Sequence, residues 1–250
     1  MRRRTLLLAA PLLLSAFAAV AQEPAVKVVA TIAVEGAFAE IEPMLAPRSG
    51  VPVRVEFATT AALVERLTNG ETADLAVLTK EAVQELAAKG YVRSSTDLVL
   101  SVIGIAVADE APLPAMKTTD DFVAFMNATP SIAYTLRGVS GLHMAQLIER
   151  LGLADVVRPK ALVVDGFSGI PLREGKVAAA VQQISELRFT GATRIVPLPD
   201  DIQVQTIFTL AELTGATRAD AARAVVPVLT SREAAAAFER SGASPLFGSD

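Results

Sequence analysis

Residues 53–79 read VRVEFATTAALVERLTNGETADLAVLT, and this stretch decides the fold. Its opening, extended back to Val51, alternates apolar with charged side chains at the spacing of a half-buried strand. Residues 61–67 place apolar side chains at helical spacing and run into Asn69-Gly70, a turn signal. Residues 73–78, ADLAVL, form a short apolar run fit for a strand buried on both faces. Strand, helix and strand joined by short turns imply a parallel sheet covered by helices.

The pattern continues on both sides of this stretch. Upstream, residues 26–30 (VKVVA) read as a strand, and Val34, Phe38 and Ile41 follow at helical spacing until Pro43 and Pro47, expected to kink or stop the helix. Downstream, residues 81–89 read as a helix ended by Gly90. Residues 98–108 (LVLSVIGIAVA) are too β-branched and glycine-interrupted for a good helix and run longer than the strands before them. A proline-bearing connection follows, with Thr119 as N-cap of a helix holding Phe122, Val123 and Phe125. A second α/β unit comes next: strand 131–134, helix 142–151, strand 161–164, a short glycine-flanked helix, then strands 178–184 and 194–196. After the turn PLPDD, residues 204–210 form a further strand. Two helices close the chain: 219–229, kinked at Pro227, and 233–240, opened by a Thr230-x-x-Glu233 capping box and ended by Gly242.

The first residues, MRRRTLLLAAPLLLSAFAAVAQEP, carry three arginines, an apolar run too short to span a bilayer and the small-x-small triplet Ala19-Val20-Ala21. They read as a secretory signal peptide, residues 1–21, cleaved after Ala21, which predicts a periplasmic protein. The chain has no cysteine and one histidine, which removes disulfides, thiolate chemistry and His/Cys metal clusters; no cofactor is expected. Without the leader arginines, 20 basic residues face 27 acidic ones, a net charge of about −7. That excludes a nucleic-acid surface and requires any bound anion to be held by local donors.

No G-x-S-x-G elbow, P-loop or G-x-G-x-x-G fingerprint is present, and the adjacent acids Asp120-Asp121 and Asp200-Asp201 read as solvated caps. The residues therefore point to a protein that binds and catalyses nothing. Four strand-to-helix loops carry small, hydroxylated or glycine residues: 31–36, 58–61, 138–141 and 165–169. Ligands of open α/β sheets bind beyond the carboxyl ends of strands, where free N–H groups and helix dipoles favour anions. Two of these loops fall in each unit, so units facing each other would bring all four to one cleft. Arg137, His143, Gln182 and Gln183 fall beside the loops: Arg137 as a fork for a carboxylate, His143 as a donor, and one of the two amides facing a polar cleft.

In order along the chain, VVATIAVEGAFAEI, residues 53–79, YTLRGVSGLHMAQLIERLGL, REGKVAAAVQQISE, IVPLPDDIQVQTIFT and AARAVVPVLTSREAAAAFERSG resemble the molybdate-binding-protein-like branch of periplasmic solute-binding proteins. The resemblance implies an α/β type II periplasmic-binding-protein fold of two lobes. Residues 22–105 and 206–250 would form lobe I, residues 106–205 lobe II, and strands near 98–108 and 204–210 the hinge. It also implies a monomer that captures a small anionic ligand and hands it to the membrane permease of an ABC transporter. In molybdate binders, serine and tyrosine hydroxyls and backbone N–H groups hold the oxyanion. The matching positions here are Ala33, Thr60 beside Thr59, Ser140-Gly141 and Gln183. Two hydroxyls are lost, charge-assisted bonds of about 1.5–3 kcal/mol each, which argues against tight molybdate binding. GVSGLH with VQQISE resembles divergent members of the branch, implying an organic carboxylate; the alternatives are molybdate, tungstate or another oxyanion, or a binding protein that senses rather than transports.

Overall fold

The computed structural model describes residues 24–248; the expected signal peptide lies outside the described residues. Strand β1 (Val26–Thr31) pairs in parallel with both β2 (Val53–Ala58) and β3 (Leu75–Thr79). The connecting helices are α1 (Glu35–Ser49) and α2 (Thr60–Thr68), and α3 (Lys80–Ala88) follows. The reading of residues 53–79 therefore holds element by element. Phe38, Ile41 and Leu45 of α1 pack on one face of this sheet, and Leu63, Leu67, Val83 and Leu86 of α2 and α3 on the other.

Strand β4 (Val92–Val107) is 16 residues long and serves two sheets. Its first part, to Val102, pairs antiparallel with β9 (Gln205–Leu213), which in turn pairs antiparallel with β3. From Ile103 onward it pairs with β7 (Ala179–Gln183) and β8 (Arg194–Pro197). Strand β7 continues in parallel to β5 (Ile132–Thr135), and β5 to β6 (Ala161–Val164). A side chain at Gly104, where β4 changes partners, would meet Ile184 at 2.8 Å and Ile195 at 3.0 Å. Helices α4 (Thr119–Ala128) and α5 (Val139–Arg150) bury Phe122, Met126, Met144 and Leu147 on one face of the second sheet. The short α6 (Ala154–Val157) follows α5, while α7 (Gly169–Arg173) and α8 (Ile184–Phe189) supply Leu172 and Leu187 to the other face. Helices α9 (Ala219–Leu229) and α10 (Arg232–Ser241) return to the first sheet with Val225 and Phe238, and β10 (Ser244–Pro245) pairs with β4.

Four local expectations are corrected. Helix α1 runs through Pro43 and Pro47 to Gly50, whose φ of 74° ends it. The two prolines are four apart on the exposed face, and the carbonyls they leave unpaired, on Ala39 and Pro43, also face water. Thr118, not Thr119, caps α4, in a capping box with Asp121. Ser231, not Thr230, caps α10 by accepting from Ala234 N at 3.2 Å. Strand β7 stops at Gln183, and α8 begins at Ile184, within the stretch read as strand.

Candidate functional site

A cavity of about 650 Å³ opens between the carboxyl ends of the two sets of parallel strands. From the first sheet it takes Thr31 and Ala33 after β1, Thr59 and Thr60 at the start of α2, and Thr79 at the end of β3. From the second it takes Thr135 and Gly138 after β5, Asp165 and Gly166 after β6, and Gln182, Gln183 and Glu186 at the β7–α8 junction. The four loops singled out in the sequence all contribute to its wall.

The polar atoms of this wall are unevenly satisfied. Thr59 accepts from Ala62 N at 3.3 Å and so caps α2, which releases the neighbouring hydroxyl. Thr60 Oγ1, Thr135 Oγ1 and Gln183 Oε1 are buried with no hydrogen-bond partner, and all three residues line the cavity. Such groups cost about 1–3 kcal/mol each when left unpaired, so their convergence marks a place prepared for a ligand's polar atoms. They come from both sheets, and Gln183 is braced by donating from Nε2 to Thr206 Oγ1 of β9 at 3.1 Å.

Helix α5 adds backbone donors. Its N-cap is Gly138, with no side chain to occupy the first N–H groups. Ser140 and Gly141 are buried behind this turn and are not on the cavity wall. A Cβ on Gly141 would lie 1.9 Å from Thr135 O, so glycine there is what lets α5 close onto β5. His143 is also off the wall: Nε2 donates to Ile202 O at 2.7 Å, tying α5 to the turn before β9. Arg137 is exposed at the mouth and is the cavity's one basic side chain among the described residues; Glu65, Glu81, Glu85 and Asp165 stand on the same rim, also exposed.

Among the wall residues missed in the sequence, Thr135 and Glu186 carry buried polar groups. Thr135 falls at the end of its strand and gave no signal beyond being a hydroxyl before Arg137. Glu186 lies just past the strand read over 178–184, where no helix was expected; the signal was an acid three residues beyond Gln183 at a strand-to-helix junction. Its carboxylate is buried and takes Gln182 Nε2 on Oε1 at 2.9 Å and Gln183 N–H on Oε2 at 3.3 Å. Burial pushes its pKa up to about 8, against the opposing pull of the Gln183 and Gln182 donations. Gln182 is fully engaged: Oε1 takes Ser168 N–H at 2.7 Å, with Ser168 Oγ at 3.0 Å, and Nε2 also reaches Gly166 O at 3.0 Å. Glu186 is thus a buried acid on the cavity wall held by two amides.

Two sheets joined by two long strands, with an anion-ready cavity between them, define a two-lobed periplasmic-binding-protein fold. The family of bacterial extracellular solute-binding proteins matches residues 26–243, and the chain belongs to it. The periplasmic molybdate-binding protein of Azotobacter vinelandii superposes with a TM-score of 0.71 at 14% identity, covering 87% of this chain and 98% of that one. Peb3 from Campylobacter jejuni superposes at 0.64 with 17% identity, covering 88% and 99%. A relative of known activity, aconitate isomerase from a Pseudomonas species, is 30% identical over 221 residues, 84% of each chain. That relative is an enzyme, and it overturns the expectation that this fold catalyses nothing. The expectation rested on the missing nucleophile and phosphate motifs and on acidic pairs that read as caps; the buried acid on the cavity wall is Glu186.

Proposed function

We propose that the protein is an extracytoplasmic isomerase of an unsaturated polycarboxylate of the aconitate type, with Glu186 carrying the proton. The observation that carries this reading is Glu186 itself, a lone buried carboxyl on the cavity wall, pushed up to about 8 and held by neutral donors. An aconitate-type acid has a methylene group between a carboxylate and a C=C bond. Glu186 in its ionised form takes one methylene proton, and the electron pair delocalises over the three-carbon unit and its carboxylates. The former double bond loses its double-bond character and its substituents turn. Glu186 then returns the proton to one end of the unit, giving the geometric isomer with no net gain or loss of atoms or electrons. One acid–base group suffices, which fits a site with one buried acid.

The substrate's carboxylates would be met by the Thr60 and Thr135 hydroxyls, by N–H groups at the open first turns of α2 and α5, with Ser140 and Gly141 packed behind the second of these, and by Arg137 at the mouth. Gln183 Oε1 accepts only, so it would take a protonated carboxyl or a bridging water. His143 would support α5 through Ile202 O rather than touch the ligand. Residues 22–105 with 206–250, and residues 106–205, would move as two lobes about β4 and β9 and exclude water from the reacting carbons once closed.

The test is incubation of the purified protein with cis- and trans-aconitate, followed by proton NMR. Approach to one equilibrium mixture from both sides supports the reading; binding without conversion overturns it. Membership of the solute-binding family favours a second role, delivery of the same organic acid to an ABC-type permease, and loss of its uptake on deletion of the gene would support that role.

A further inference from the structure

We infer that Gln182 is a positioning residue: its amide, locked in one orientation by two backbone groups, presents a permanent donor to Glu186 and fixes the carboxylate that moves the proton. The inference rests on the isomerase reading but concerns a part of the site that touches no ligand donor discussed above.

The lock follows from which backbone groups meet the amide. Ser168 N–H can only donate, so the Gln182 atom 2.7 Å from it must be the oxygen. Gly166 O can only accept, so the atom 3.0 Å from it must be the nitrogen. A flipped amide would set N–H against N–H and O against O, both buried. The nitrogen therefore always faces Glu186 Oε1, at 2.9 Å. Gln183 N–H approaches the other oxygen from the neighbouring position of β7. Two consecutive residues of one central strand thus hold both carboxylate oxygens, and each oxygen retains a lone pair for the travelling proton.

Among the described residues, no charged group adds to this control. Glu186 shifts by burial against the Gln183 and Gln182 donations alone. The charged groups around α8 are engaged elsewhere: Arg188 donates to Arg240 O, Arg240 pairs with Glu40, Arg194 donates to Ala111 O and Asp97 pairs with Lys80. On α1, Glu35 is itself raised, by burial and by Glu42, and Arg48 pairs with Glu233 of α10.

The experiment titrates the ligand-free protein by infrared difference spectroscopy of carboxyl C=O stretches, with Glu186→Gln assigning the band. Gln182→Met removes the donor at near-constant volume, and the midpoint of the Glu186 band should rise by about 1–2 pH units. Gln182→Glu keeps the bonds from Ser168 but sets a second carboxyl against Glu186, and the pair should hold one proton to still higher pH. An unchanged or lowered midpoint in either folded variant overturns the inference, because a filler role would alter stability and leave the titration in place. Failure of the isomerase reading leaves this titration intact, since no substrate is present.

Discussion

At the scale of single residues, the site separates groups that stabilise the fold from groups that wait for a ligand. Thr135 Oγ1 is buried and unpartnered, so Thr135→Val should leave urea stability unchanged or slightly raised, while affinity for the carboxylate ligand falls about tenfold by calorimetry. Glu186 obeys the opposite logic for its proton. The folded protein binds that proton to about pH 8 and the unfolded chain only to about 4.5, so the group's contribution to stability is full below 4.5 and is lost as pH rises through 8. Glu186→Gln should therefore flatten the alkaline fall in the denaturation midpoint between pH 5 and 9. As the base must be ionised, kcat/KM should climb with pH and level off above about 8, as read from initial rates across that range. These roles were only partly legible. Thr60 and Gln183 could be picked out as polar groups at strand ends, but the engagement of His143 by Ile202 O, 59 residues away, depends on geometry that no spacing encodes. Glu186 was hidden by a boundary: five apolar or amide residues of β7 run into α8 with no glycine or proline between them.

At the scale of elements, the strand–helix–strand reading of residues 53–79 succeeded because its turns are punctuated by Thr59, Asn69 and Gly70, each with a clear local role. The prolines of α1 misled because a proline's cost depends on which face its unpaired carbonyl occupies, and sequence alone does not say that Ala39 faces water. The packing of α5 on β5 gives the sharpest element-level prediction. Gly141→Ala would drive a methyl into the Thr135 carbonyl, so α5 must lift from the sheet and the variant should lose more than about 3 kcal/mol in chemical denaturation, if it folds. The C-terminal end of α2 is held differently, by Arg66 and Lys27 on Glu71, whose pKa is lowered to about 2, first by Arg66 and then by Lys27.

At the scale of the molecule, two sheets are joined through β4 and β9, and the cavity lies between them with neutral donors inside and an acidic rim outside. With 27 acidic residues in the chain, and Glu65, Glu81, Glu85 and Asp165 at the mouth, a polyanionic substrate approaches against the field. Its association rate should therefore rise with ionic strength in stopped-flow measurements, the reverse of electrostatic steering. Composition and the recurrence of small-residue loops at strand ends made the architecture and the place of the cavity readable. The proposed catalysis was not readable, since one buried carboxyl leaves no motif. The most direct measurement is a comparison of wild type with Glu186→Gln, following aconitate isomerisation by NMR and the ligand-induced rise in Tm on the same samples. The account predicts that the variant keeps the Tm rise and loses turnover by a factor of about 10²–10⁴. Turnover within tenfold of wild type, with the Tm rise retained, would contradict it.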